Sequence, residues 1–186
     1  SGQVRVYNWD GSSWNQLGND IDGENSADAS GFSVSMSSDG NIIAIGAHEN
    51  DGNGQSSGHV RAYNWDGSSW NQIGQDIDGE ATYDVVPGFS VSMSSEGNII
   101  AIGASGNDGN GQDAGHVRVY KWDGSSWNQL GQDIDGEAAL DRSGFSVSMS
   151  SDGNIVAIGA PYNDGNGLNS GQVRVYNWDG SSWNQL

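Results

Sequence analysis

Apolar residues along this chain fall into two patterns, strict alternation with serine and short unbroken runs, each bounded by glycine-rich turns. Phe32, Val34 and Met36 alternate with Ser33, Ser35 and Ser37, the two-residue period of a strand with one small, polar face. Asp39-Gly40 predicts a hairpin turn into Asn41-Ile-Ile-Ala-Ile-Gly, an apolar run suited to a strand covered on both faces. After the loop Asn50-Asp-Gly-Asn-Gly comes a third strand, Val60 to Trp65, and Asp66-Gly67 turns it into a fourth, Ser69 to Ile73. No segment keeps a helical period, and glycine at this density disfavours helices. The chain reads as all-β.

The four strands recur. Gly2-Gln-Val-Arg-Val-Tyr-Asn-Trp aligns with the segments that open at Gly58, Gly115 and Gly171, giving periods of 56, 57 and 56 residues. Ser1–Leu17 returns unchanged as Ser170–Leu186, a super-period of 169 residues. The extra residue falls within Ala81 to Gly88, where the units also diverge, and this marks a surface loop. Four-stranded antiparallel units joined by hairpins at this repeat length predict blades of a β-propeller-like tandem repeat. Small serines suit an innermost strand near the axis, while Tyr and Trp fill the widening wedge between blades. The expected organisation is three full blades plus a half blade, cut from a longer array. Residues 1–31 hold the last hairpin of a preceding blade and a linking loop, 32–87 the first blade, 88–143 the second and 144–186 the third. A β-solenoid is the competing architecture, but its coils are usually shorter and lack two Asp-Gly hairpins per unit.

The series Gly31-Phe-Ser-Val-Ser-Met, Ile45-Gly-Ala, the Asn-Asp-Gly-Asn-Gly loop and Gly58-His-Val-Arg-Ala-Tyr-Asn-Trp resembles the FG-GAP repeat of integrin-α-like propellers, in a bacterial and marine variant with Trp in the outer strand. The stretch Ser33 to Asn41 is also similar to the hairpin of WD-repeat blades. The FG-GAP resemblance implies an extracellular or surface-displayed propeller used in adhesion or scaffolding. It carries one departure. Calcium-binding FG-GAP repeats hold an Asp-x-Asp-x-Asp-Gly-x-x-Asp loop between their first two strands, whereas here Met36-Ser-Ser-Asp-Gly-Asn-Ile-Ile offers one acid and Glu96 replaces it in the second unit.

Charge narrows the partners. With 6 Lys and Arg against 24 Asp and Glu, the net charge is −18, so the chain cannot neutralise phosphates and nucleic acid is not an expected partner. Anionic membrane surfaces are disfavoured for the same reason, and no apolar run nears the roughly 18 residues of a membrane span, so membrane insertion is not expected. The chain has no cysteine, hence neither disulfides nor thiolate metal sites.

The acids themselves recur at constant offsets: Asp20, Asp22, Glu24 and Asp28; Asp76, Asp78, Glu80 and Asp84; Asp133, Asp135, Glu137 and Asp141. Carboxylates spaced by two around a glycine turn can converge on one hard cation, which makes calcium the candidate cofactor. The same residues also read as a solvated loop between blades whose acids cap backbone amides. The Asn50, Asn107 and Asn163 loops suit turn geometry better than ligation. Tryptophans come in pairs across Asp-Gly hairpins: Trp9 and Trp14, Trp65 and Trp70, Trp122 and Trp127, Trp178 and Trp183. Repetition in every unit makes them structural aromatics at blade contacts, with a sugar-binding platform as the other reading. Arg5, Arg61, Arg118 and Arg174 share one repeat position and are expected to pair with blade carboxylates or stack on Trp. His59 and His116 stand where Gln3 and Gln172 stand elsewhere, without metal-ligand spacing in sequence, and no Ser lies in a nucleophile elbow. No catalysis is expected. The functional expectation is a non-catalytic extracellular structural or adhesion module whose partners are further copies of the repeat, with surface glycans or matrix beyond them; a lectin-like ligand-binding propeller is the alternative.

Overall fold

A computed structural model describes residues 1–80, 82 and 89–186 of the chain; Asp84 of the second acidic set lies outside them. The described residues form strands and turns, with no helix. In chain order come β1 (Gln3–Val4), β2 (Tyr7–Trp9), β3 (Trp14–Gln16) and β4 (Ile21–Asp22). The first complete sheet holds β5 (Ser30–Met36), β6 (Ile42–Ala47), β7 (His59–Trp65), β8 (Trp70–Gln72) and β9 (Ile77–Asp78). The second repeats it with β10 (Phe89–Met93), β11 (Ile99–Ala104), β12 (His116–Trp122), β13 (Trp127–Gln129) and β14 (Ile134–Asp135). The last holds β15 (Ser146–Met149), β16 (Ile155–Ala160), β17 (Gln172–Trp178) and β18 (Trp183–Gln185). Each is an antiparallel meander of four strands, blades 1, 2 and 3 below; β1 to β4 form the half blade.

Two local features depart from the four-strand reading. The Asp-Ile-Asp segment, expected as loop, forms a short added strand: β9 pairs with the first half of β7, matching Val60 with Ile77, and β14 pairs likewise with β12. Strand alternation turns the central isoleucine inward and its two aspartates outward, and Ile21, Ile77 and Ile134 are all buried. In the half blade, the third strand is interrupted into β1 and β2, although its sequence equals that of the continuous β17. β17 is bonded along its length to β16. The half blade brings no such neighbour to hold Arg5 and Val6 in a ladder.

The core lies between sheets rather than within one. Val4, Val6 and Ile21 of the half blade meet Ile43 and Ile45 of blade 1, joined by Leu17, Tyr63 and Trp70. Ala44, Val60, Ala62 and Ile77 then meet Phe89, Met93, Ile100, Ile102 and Trp127 of blade 2, and Val117, Val119 and Ile134 meet Val156, Ile158, Tyr176 and Trp183 of blade 3. Consecutive residues of the apolar run therefore serve opposite faces, as a strand covered on both sides requires. The serines of the inner strands bridge blades directly. The Ser35 hydroxyl accepts a hydrogen bond from the Met93 amide at 3.0 Å, and Ser92 accepts from Met149 at 2.9 Å.

Candidate functional site

The polar groups of the repeat gather where one blade meets the next. β7 presents His59 and Arg61 on one face, since residues two apart in a strand share a side. Arg61 is buried and reaches Glu24, from the segment before blade 1, together with Asp76, which follows β8, at 3.3 Å from Nε. His59 Nδ1 lies 3.6 Å from the same Asp76 carboxylate. In blade 2 Arg118 joins Glu80 and grips Asp133 with two hydrogen bonds of 3.0 and 2.8 Å. Arg174 of blade 3 holds Glu137 at 3.7 Å and donates to the Asp135 carbonyl at 2.9 Å. Arg5 of the half blade has Asp20 at 3.2 Å. At Arg61 and Arg118 the arginine is thus clamped between a glutamate from before its own blade and an aspartate within it, while Arg174 has the glutamate and a backbone carbonyl.

Among the described residues no three acids of one expected set come together, although Asp20 and Asp22 share Gln3 Nε2 and Glu137 and Asp141 share Asn163 Nδ2. Asp20 takes Arg5, Gln3 and Gln16; Glu24 takes Arg61; Asp22 lies in β4. Asp28 is buried and accepts from the Asn25 amide at 2.9 Å and from Asn50 Nδ2 at 3.3 Å. Asp141 repeats this with Ala138 and with Asn163 at 2.8 Å. Ala27 and Ala29, like Leu140 and Arg142, adopt positive φ on either side of these buried carboxylates and turn them inward. Asp78 and Asp135 sit on the short added strands. The loop asparagines close turns, Asn50 Oδ1 accepting from the Gly52 amide at 2.8 Å.

A different set of ligands does come together. Glu24, His59 and Asp76, and again Glu80, His116 and Asp133, place donor atoms within 4.8 Å of one another and could hold a metal ion. The histidines were missed because their spacing to the acids is long and non-local; the only trace in sequence was that His59 and His116 stand two residues before the repeated arginine. Each set shares its two acids with an arginine, so positive charge already stands between the carboxylates. Burial pushes the His59 imidazole below its ordinary value against the pull of Asp76, Asp78 and Asp28. Burial alone would raise the Asp133 carboxyl, but hydrogen bonds from Arg118 and Gln129 outweigh it and hold it below the usual range. Asp78 lacks such donors and is pushed up by burial and by Asp76.

The tryptophan pairs occupy the outer part of the same junctions. Trp65 and Trp70 face each other across the β7–β8 hairpin with ring centroids 5.4 Å apart. The indole of Trp70 donates to the Leu17 carbonyl of the half blade at 2.9 Å, Trp127 to Ile73 at 3.0 Å and Trp183 to Leu130 at 2.8 Å. The seat is a glycine in positive φ: a Cβ on Gly74 would stand 2.5 Å from the Trp122 ring and 2.9 Å from that of Trp127.

Four-stranded antiparallel sheets stacked face to face, with small serines on the inner strands and aromatics on the outer ones, define a β-propeller-type repeat module. Residues 133–176 match the FG-GAP repeat. No curated protein matches the chain in sequence. In fold it is similar to a crystal structure of a candidate 6-phosphogluconolactonase from Bacteroides uniformis, with TM-score 0.63 and 12% identity over 99% of this chain and 47% of that one. It is similar also to TolB from Acinetobacter baumannii, with TM-score 0.50 and 14% identity over 99% and 40%. The chain spans less than half the length of either protein, and at such identities the likeness speaks for fold alone.

Proposed function

We propose that this chain is a non-catalytic structural or adhesion module that works outside the cell as part of a longer propeller array or filament. The observation that carries the reading is the use made of its conspicuous side chains. Arginine, glutamate and tryptophan at repeat positions are engaged in joining one blade to the next, at junction after junction. Its partners are further copies of the same repeat, and the acidic outer loops would face matrix or surface glycans. Calcium is not needed to neutralise Glu24 and Asp76 in this reading, because Arg61 supplies the cation. Labelling intact source cells with an antibody against the chain tests the location. A continuous surface stain is expected, and label that enters only after permeabilisation would sink the reading.

A further inference from the structure

One repeat position differs in chemistry from unit to unit. Two residues before the repeated arginine stand Gln3 in the half blade, His59 in blade 1, His116 in blade 2 and Gln172 in blade 3. Gln3 donates directly to Asp20, the aspartate that follows its hairpin. The histidines do not reach the equivalent aspartates. Nδ1 of His59 lies 3.6 Å from Asp76 Oδ2, and Nδ1 of His116 lies 3.9 Å from Asp133 Oδ2, beyond hydrogen-bond distance. The His59 side chain is buried all the same, and its imidazole makes no hydrogen bond among the described residues.

This separation is close to that of two ligands on one metal ion. Ligands held about 2.0–2.1 Å from zinc at the tetrahedral angle stand about 3.3 Å apart. Glu24 and Glu80 complete the two sets, with the three donor atoms of each lying within 4.8 Å of one another. Beside the second set is a cavity of about 20 Å³, lined by Glu80, His116 and Arg118 and walled by Phe89 and Ile102. It has room for about one water, the fourth ligand that three protein ligands on zinc call for. The local charge suits a dication. Around His59 stand Glu24, Asp28, Asp76 and Asp78, and against these four carboxylates Arg61 brings one positive charge. Sharing with the arginine is possible, because a carboxylate offers about four lone-pair sites. Asp76 can accept from Arg61 and Gln72 and still serve an ion.

We propose that Glu24, His59 and Asp76, and again Glu80, His116 and Asp133, each bind one divalent transition-metal ion of the zinc class at a blade junction. The ion ties the glutamate ahead of a blade to the third strand and the hairpin of that blade. The imidazole decides the metal, since nitrogen suits zinc whereas calcium takes oxygen ligands. Blade 3, with Gln172 at the histidine position, lacks the nitrogen ligand. The proposal stands on junction geometry and not on where the module works, so it holds or fails independently of the surface-labelling test.

Titration calorimetry of the tag-free, metal-depleted chain with zinc chloride tests this, with calcium chloride as the parallel titrant and thermal unfolding as the second readout. Two zinc ions per chain are expected, one for each set, together with a higher melting midpoint and no response to calcium. His59→Gln and His116→Gln should each bind one zinc ion, and the double variant none. These variants should keep the fold, because glutamine already stands at this repeat position as Gln3 and Gln172. His48→Gln, whose imidazole belongs to neither set and faces Glu49, should bind two like the parent. A parent that takes up no zinc, uptake that survives in the double variant, or equal uptake of calcium would each overturn the proposal.

Discussion

Trp14 and Trp183 occupy the same position in two identical stretches of sequence, yet Trp14 is 67% exposed and Trp183 only 4%. Both pair with a second tryptophan across the hairpin, at centroid separations of 5.6 and 5.4 Å. The hairpin geometry therefore belongs to the local sequence. Burial belongs to the neighbour: blade 2 lies against Trp183 and accepts its indole proton at Leu130, whereas no blade precedes Trp14 among the described residues. A repeat unit of this kind holds its shape locally and its stability at the junction, as expected where each unit contacts only its neighbours.

The largest contrast should come from truncating the two rings. Trp183→Ala removes a buried indole from the junction core and is expected to cost about 3–5 kcal/mol in denaturant unfolding. Trp14→Ala, on an exposed face, should stay within about 0.5 kcal/mol of the parent. Equal losses would mean that the pairs stabilise their own hairpins and that the junction adds nothing.

The seat of the ring gives the next effect. Gly131 has φ +80°, and a Cβ there would lie 3.1 Å from Trp183 Cδ1, tighter still against Trp178. Gly131→Ala is expected to cost about 2–4 kcal/mol, combining overpacking with left-handed strain. Gly11, with φ +101° and open space around it, isolates the strain alone, and Gly11→Ala should cost about 1–2 kcal/mol. Urea midpoints of the two variants measure the difference, and a Gly131→Ala chain no weaker than Gly11→Ala would remove the glycine seat from the junction.

How much of this could be read from sequence depended on range. The alternation of Phe32, Val34 and Met36 with serine, and the Asp-Gly turns, state the blade strands directly, because period and turn chemistry are local. The cross-hairpin tryptophans followed from five-residue spacing. The acidic motif divides its residues for a physical reason: Asp78 follows a buried isoleucine in a short strand, while Glu80 of the same motif crosses to the next blade's arginine. Spacing along the chain points to convergence within a motif, but the partners are 37 residues away for Glu24 and Arg61, a relation only blade stacking creates. The grouping of His59 with Glu24 and Asp76 was hidden for the same reason.

Charge at the junction sharpens the comparison further. Arg61 is buried between two carboxylates that are themselves partly exposed, so solvent screens part of the interaction. Arg61→Gln is expected to cost about 1–2 kcal/mol, below the range for fully buried pairs. Arg5, half exposed with a single aspartate, should lose less than about 0.5 kcal/mol as Arg5→Gln. Adding chelator and then millimolar calcium to the parent bears on the same clamp. If arginine serves as the cation, melting midpoints at matched ionic strength should be equal, and a rise with calcium would show that a metal joins the acids.

The smallest expected effect is the pH dependence of His59. Its imidazole is buried beside Asp76, Asp78 and Asp28, and burial wins over those three charges, leaving the folded-state value below the ordinary 6.5. The unfolded chain therefore takes up a proton near 6.5 while the folded chain still resists it. Stability from this group is complete above about pH 6.5 and falls as the solution is acidified toward the depressed folded value, below which the slope vanishes. The hairpin aspartates Asp66 and Asp179, held far below the usual carboxylate range by serine amides and hydroxyls, stay charged in this window and add no slope of their own. Glutamine is the natural control, because Gln3 and Gln172 stand at the same repeat position in the half blade and blade 3. His59→Gln should melt like the parent at pH 8 and hold its midpoint better between pH 7 and about pH 5. Thermal unfolding across that range measures it. Parallel curves for the two proteins would mean that the imidazole takes its proton as easily in the junction as in the unfolded chain, and that the junction treats His59 and Gln172 alike.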